Sequence, residues 1–360
     1  MSRPKSRQDA PLTITRRRFV QGAGALAGAA ALGGLAPGQA RGQAGGKMVL
    51  GTWGGDYSKL LTQNVETPIL KPKGVEVVHD IAGDPQRRAK LVAEKRLPRG
   101  TTDLQALSAA GSYEMWSAGV LEELDFGKIP NAKHLLDPMK TKFSVGHIYS
   151  GQVVLYNPAL ISPAPTSYSD LWDPRHAGKV GIIDIQYIGT LEAAALVSGG
   201  SMENFEPGKA KLLELRNRGV KMYPTNEAMA QALKTGEVGM CVMWKARGVM
   251  WQNAGVPVQA VTPKEGVVLY VSDFVVPKNA QNKAAAYAYL DAMLEPSAQV
   301  AFGETMGYNP TVTNVKLPEA VARRVAFSKE EQTRLITPNY DYIAKNDFQL
   351  KEWWDKVFKA

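Results

Sequence analysis

Short apolar runs and amphipathic stretches alternate along this chain. Met48-Val49-Leu50 stops at Gly51, and Trp53, Gly54, Gly55, Asp56 and Tyr57 follow. A helical spacing then sets in at Leu60, Leu61, Asn64 and Val65. The pattern predicts a strand over 47–52, a glycine loop, and a helix over 57–66. In an open α/β sheet such a loop lies at the carboxyl ends of the strands, where ligands bind. Two aromatics and a carboxylate sit on it. The same residues also suit a plain βα turn, with Asp56 capping the helix and Trp53 in the core.

The rhythm continues with a strand over Val75–His79 and a helix over Pro85–Lys95, with Arg87, Arg88 and Lys90 placed on its wet face. The apolar run Leu104–Leu107 and a helix over Ser112–Ser117 complete a βαβαβα series, which argues for a parallel sheet covered by helices. Near Tyr149 the character shifts. A strand over Ser150–Asn157 enters through Gly151 and leaves into Pro158, Pro163 and Pro165. A second alternating unit follows, with strands at Val180–Ile183, Val220–Met222, Val238–Met243 and Val256–Val261. Helices are expected over 189–198, 208–217, 226–235 and from Lys245. The apolar run Val267–Val276 is long for one strand, and suits a crossing between two lobes. Helices over Ala280–Leu294 and from Pro296 come next, with a helical tail from Pro318.

The expected architecture is α/β with two lobes, joined by crossings near 150–157 and 267–273. A cleft between such lobes is a natural small-molecule site, and short crossings allow hinge closure. The expected division is 45–153 plus 273–315 for lobe 1, and 154–272 plus 316–360 with C-terminal helices for lobe 2. The 360 residues are ample for both.

The N-terminus changes the picture of charge. Thr15-Arg16-Arg17-Arg18-Phe19-Val20-Gln21 resembles the twin-arginine export motif. A weakly apolar Ala/Gly segment follows, then small-residue cleavage patterns ending at Ala40 and Ala44. Residues 1–44 are read as a cleaved signal, since the apolar segment is too short and too rich in Ala and Gly for a membrane span. The formal net charge is +9, and residues 1–40 hold six basic side chains and one acidic, so the remainder is near +4. That mild excess, with no basic cluster interleaved with aromatics, is no nucleic-acid footprint. Cys241 is the single cysteine, which excludes an intrachain disulfide and any multi-cysteine metal site. It lies in an apolar run and is read as a buried small hydrophobe.

A set of dispersed segments then carries a resemblance. They are the opening strand with Trp53, Gly119–Asp125, Leu155-Tyr156-Asn157, Pro165–Trp172, Gly239–Trp244, Pro277–Lys283 and Gly307-Tyr308-Asn309-Pro310. In order and spacing this chain resembles the extracytoplasmic solute-binding proteins of bacterial ABC importers, in the branch of the spermidine/putrescine binders. The resemblance implies the two-lobed periplasmic-binding-protein fold of type II. It also implies a periplasmic location, capture of a small organic solute without a cofactor, and delivery to the transmembrane subunits of an ABC permease. The twin-arginine translocase is the implied partner during export, and a monomer is expected.

Members of that branch line the cleft with aromatics and carboxylates, which suit ammonium groups. By position the candidates are Trp53, Asp56 and Tyr57 on the first loop, Ser108 at a strand end, Trp244, and Tyr270 on the return crossing. The family's acidic positions in lobe 2 correspond to Asp184–Gly189, where Asp184 and Tyr187 stand and only Asp184 is acidic. There are departures. The aspartate expected two residues after Tyr270 is replaced by Ser272, with Asp273 next door and on the opposite strand face. Lys245 and Arg247 follow Trp244, and cations there suit a carboxylate. The expected ligand is therefore amine-containing, and amino-acid-like or opine-like as well as polyamine-like. Asp56 or Asp184 would meet its ammonium, and Lys245, Arg247 or Arg175 its anion.

Two other functions remain to be weighed. An exported enzyme lacks support, since His79, His134, His147 and His176 are scattered and no phosphate loop or nucleophile elbow occurs. A ferric-ion binder of the same fold would need adjacent tyrosines, and none occur; Tyr340-Asp341-Tyr342 lies in the helical tail.

Overall fold

The computed structural model describes residues 45–360. The expected signal segment, with its twin-arginine motif and both cleavage sites, lies outside the described residues. Among the described residues no helix is long and apolar enough to cross a membrane.

The opening unit runs β1 (Gly46–Thr52), α1 (Asp56–Leu61), β2 (Val75–Ile81), α2 (Asp84–Ala93), β3 (Leu104–Ser108) and α3 (Ala109–Ser117). α1 does not stop at residue 66. It passes into a π-helical stretch, Thr62–Leu70, with Pro68 inside. Proline lacks the N–H for a regular helical bond, and a wider turn accommodates that loss. α3 begins earlier than periodicity suggests because Ser108 caps it, its hydroxyl accepting from Gly111 N at 3.2 Å.

β4 (Val145–Tyr156) is twelve residues and buried throughout. The second unit holds β5 (Val180–Ile183), α4 (Tyr187–Val197), α5 (Glu206–Asn217), β6 (Lys221–Tyr223), α6 (Asn226–Thr235), β7 (Met240–Trp244), α7 (Lys245–Asn253) and β8 (Gln259–Val261). β9 (Val267–Val275) returns, and is followed by α8 (Lys283–Ala292), α9 (Pro296–Met306), β10 (Asn309–Pro310), α10 (Glu319–Val325), α11 (Lys329–Gln332), β11 (Leu335–Ile336) and α12 (Tyr340–Trp353). Two-residue strands such as β10 and β11 carry no periodicity, so the apolar pattern missed them.

All eleven strands form one curled sheet, its main path β2-β1-β3-β9-β4-β7-β5-β6. β1, β2 and β3 are parallel, as are β5, β6 and β7, each set supplied by helical crossovers. β4 and β9 join the two sets. Val145–Gly151 of β4 pairs antiparallel with β9, and Gln152–Tyr156 pairs with β7 and β8. The change of partner falls between Gly151 and Gln152. A Cβ on Gly151 would stand 2.1 Å from Val267 Cγ1, so the two crossing strands approach closely only because this residue is glycine. This is the mixed α/β, two-lobed architecture expected from the sequence.

Candidate functional site

Strand geometry gathers the site on one face of the crossing. Antiparallel partners share a face, and residues two apart along a strand do too. Gln152 pairs with Trp244, Ser150 with Tyr270, and Ser108 with Ser272. Gln152, Trp244, Tyr270, Ser108 and Ser272 therefore stand on the same side. That side faces a cavity of about 470 Å³. Its walls come from both units: Trp53, Asp84 and Ser108–Ala110 from the first, Ile185, Gln186, Ile188–Thr190, Glu192 and Val242–Trp244 from the second. Leu269–Val271 form the floor, and Tyr340 and Ile343 of α12 close one side. Trp244 and Tyr270 lie with ring centroids 4.0 Å apart.

The charges of the first wall are largely paired within the protein; Arg87 Nε alone among the guanidinium nitrogens has no partner. Asp84 opens α2 behind Gly83, accepting from Ser108 N at 2.9 Å and from Arg88 Nε at 2.8 Å. Trp53 presents one ring face to the buried guanidinium of Arg87, 4.5 Å from the ring centroid. Arg87 in turn donates to the carbonyls of Ala82 and Ala106. Periodicity had put Arg87 on the wet face of its helix; it is 1% exposed, because those two carbonyls and the indole face meet its guanidinium.

The second wall is different. Glu192 is 3% exposed in the middle of α4, yet it borders the cavity. Its carboxylate accepts from Gln152 Nε2 at 2.5 Å. Burial pushes its pKa up to about 8, against a smaller downward pull from that amide. Gln152 Oε1 is buried on the same cavity and has no hydrogen-bond partner.

Of the residues singled out from sequence, Trp53, Ser108, Trp244 and Tyr270 lie on the cavity wall. The others are held elsewhere. Asp56 is the first residue of α1 rather than its cap, which is Gly55, and it points to solvent 3.5 Å from Lys59. Tyr57 is buried behind Trp53, its hydroxyl 2.9 Å from His147 Nδ1. Asp184 accepts from Trp354 Nε1 at 2.7 Å and from Lys359 Nζ at 2.9 Å. Tyr187 donates to Asp347 of α12.

Lys245 turns from the cavity to donate to the Ala326 carbonyl at 2.5 Å, 4.7 Å from the Phe327 ring. Arg247 is 4.0 Å from Glu227, and Arg175 pairs with Asp173 at 2.6 Å. Ser272 is buried beneath Tyr270, donating to its hydroxyl at 3.2 Å. Asp273 lies on the opposite strand face, 4% exposed, and burial raises its pKa to about 7. No lysine, arginine or histidine lines the cavity among the described residues. Nor do the described residues bring three or more His, Cys, Asp or Glu side chains together around a metal position.

Sequence reasoning missed Asp84, Gln152, Glu192 and Tyr340. For Glu192 a signal existed: it is the lone charge in Tyr-Ile-Gly-Thr-Leu-Glu-Ala-Ala-Ala-Leu-Val, a helix apolar on all sides. A helix of that kind is buried, so its charge is buried with it.

Comparison with known proteins agrees with this architecture. A model of the bacterial extracellular solute-binding proteins matches residues 68–329. The spermidine/putrescine-binding periplasmic protein of Escherichia coli K12 is 24% identical over 294 residues, covering 78% of this chain and 80% of that protein. Among solved structures, an ABC transporter protein of Clostridium perfringens superposes with a TM-score of 0.76 at 24% identity, over 86% of this chain and 99% of that one. The Atu4243–GABA receptor also superposes at 0.76, with 21% identity over 88% and 98% of the two chains. A curled sheet spanning two lobes, a cavity at the crossing strands, and a family match over most of the chain lead to one assignment: this chain belongs to the bacterial extracellular solute-binding proteins.

Proposed function

We propose that this protein is the solute-binding component of an ABC importer. It works in the periplasm, captures a small amine-bearing organic solute between its lobes, and presents it to the transmembrane subunits of a permease. Its role is capture and delivery rather than catalysis. The observation that carries the choice of solute is the lining itself. Trp53, Trp244, Tyr270 and Tyr340 contribute aromatic rings, Asp84 and Glu192 contribute carboxylates, and no lysine, arginine or histidine lines the cavity among the described residues. Aromatic faces and carboxylates attract ammonium ions most strongly where water is excluded.

The amino-acid-like and opine-like ligands expected from sequence relied on Lys245, Arg247 or Arg175 for the anion. All three are engaged away from the lining, which weakens that version. One feature still favours an amine-carboxylate: Ser108–Ala110, at the amino end of α3, borders the cavity opposite Glu192's unit. N–H groups at a helix start donate to a carboxylate.

Calorimetric titration of the mature protein with putrescine, spermidine and GABA decides between them. Binding of putrescine or spermidine in preference to GABA supports the polyamine-like version, and the reverse order supports the amine-carboxylate. Heat from none of the three removes the amine reading altogether.

A further inference from the structure

Glu192 and Gln152 present the least settled polar surface of the cavity. One Glu192 oxygen takes the amide hydrogen of Gln152 at 2.5 Å, and the other Gln152 atom, Oε1, is buried on the cavity without a donor. With Glu192 ionised, two acceptors thus stand side by side, sharing one internal hydrogen bond. An acceptor sealed from water without a donor is costly, and the cost disappears when a donor arrives. The arrangement is a built one. Gln152's backbone carbonyl accepts from Tyr168 at 2.9 Å, fixing the strand from behind. Gly189, one turn before Glu192 on α4, makes room for the amide: a Cβ there would stand 2.8 Å from Gln152 Nε2. Trp244, the strand partner of Gln152, borders the same space.

We propose that Glu192 and Gln152 Oε1 together receive the ammonium group of the solute, with the Trp244–Tyr270 pair beside them. The inference rests on the amine reading above and places its positive end. An alkylammonium has three N–H donors, which is enough for both acceptors at once. The pairing also spans the hinge. Glu192 belongs to the second unit, whereas Gln152 is the residue at which β4 changes partners.

The acidity of Glu192 supports the same role. Burial and the Gln152 amide are what set it, and the titratable side chains that feel its charge are the phenols of Tyr168 and Tyr340, both pushed up by burial. With a pKa of about 8 in the empty cleft, Glu192 holds a proton at pH 7. An arriving ammonium favours the carboxylate, so the proton leaves to the buffer as the solute binds.

The test is calorimetry with putrescine at pH 7 in phosphate and in Tris, whose ionisation heats differ. The wild-type protein is expected to release close to one proton per bound putrescine. Glu192→Gln keeps the shape but removes the charge. It should bind at least about tenfold more weakly, as expected for loss of a charge-assisted hydrogen bond, and should release no proton. Gly189→Ala serves as the second variant: it leaves Glu192 untouched, displaces the Gln152 amide, and is expected to weaken binding severalfold. If wild type binds putrescine and both variants bind it equally well, the Glu192–Gln152 assignment is overturned while the amine reading stands. If wild type binds none of putrescine, spermidine and GABA, both fall together.

Discussion

The two walls of the cleft are built on opposite principles. In the first, each charge has several partners within the protein: Asp84 has Ser108 N and Arg88, and Arg87 has two carbonyls and the Trp53 ring, with only its Nε left over. In the second, Glu192 has a single amide and Gln152 Oε1 has nothing. A wall whose charges each have several partners keeps its shape with or without a guest. An unsaturated wall stores a deficit that a guest can relieve. On the proposed assignment, one lobe supplies a rigid template, while affinity and charge selection reside where the protein has left its own hydrogen bonding incomplete.

The strongest way to break this contrast is to damage the template. Arg87→Ala leaves the Ala82 and Ala106 carbonyls without their donor and strips the support from behind Trp53. Unfolding in urea should show a loss of about 3 kcal/mol or more, since a buried, multiply bonded side chain is replaced by a void. Binding should fail mainly through that instability.

Next in size is Trp244→Ala, which removes one ring of the pair on the crossing. Putrescine affinity is expected to fall by roughly 10- to 100-fold, the range for losing a desolvated cation–π contact together with its packing. The urea midpoint should move much less than for Arg87→Ala, because Trp244 is only half buried.

The pH dependence of stability sharpens the comparison further. Glu192 has a folded pKa of about 8 against an ordinary value of 4.5. Between those values the folded state holds a proton that the unfolded chain has lost, so this group makes the unliganded protein less stable as pH rises from about 4.5 to 8. Above pH 8 its contribution levels off. Asp273 acts in the same direction between 3.8 and about 7. His147, buried neutral with its pKa lowered to about 3, acts oppositely and destabilises below its ordinary 6.5. Glu192→Gln should therefore raise the melting temperature at pH 8 by several degrees, with little change at pH 5. A variant that is more stable and binds worse would mark Glu192 as a residue kept for function.

The smallest effect belongs to Lys245→Met. Its ammonium already caps the Ala326 carbonyl and leans on Phe327, so putrescine affinity should stay within about twofold by calorimetry.

Much of the fold was legible because two periodicities carry it. β5 and α6 fall where the apolar pattern puts them, and Thr225 caps α6 by accepting from Ala228 N. Trp53 and Trp244 at strand ends, and Tyr270 within the crossing strand, were also visible, since aromatics stand out in and beside short apolar runs. Charged residues were another matter. Arg87 and Arg88 are adjacent and chemically alike, yet one is buried against an indole and the other reaches Asp84 and Glu114 near the surface. Only the tertiary position of two carbonyls distinguishes them. Asp184 lies close to where an acid was sought, but Trp354 and Lys359 claim it. Those partners lie some 170 residues away in the chain, beyond the reach of any local pattern.

That distance has a kinetic side. Trp53 follows the first described strand, Gln152 lies on a middle strand, and Tyr340 opens α12, so the cavity is complete only after the farthest separated segments have met. Contacts of long sequence separation close late, because their loop entropy must be overcome before they contribute. A solute that recognises this surface cannot grip the transition state for folding. Its bound form should unfold more slowly than the empty protein while refolding at the same rate, making retention of cargo a matter of lifetime.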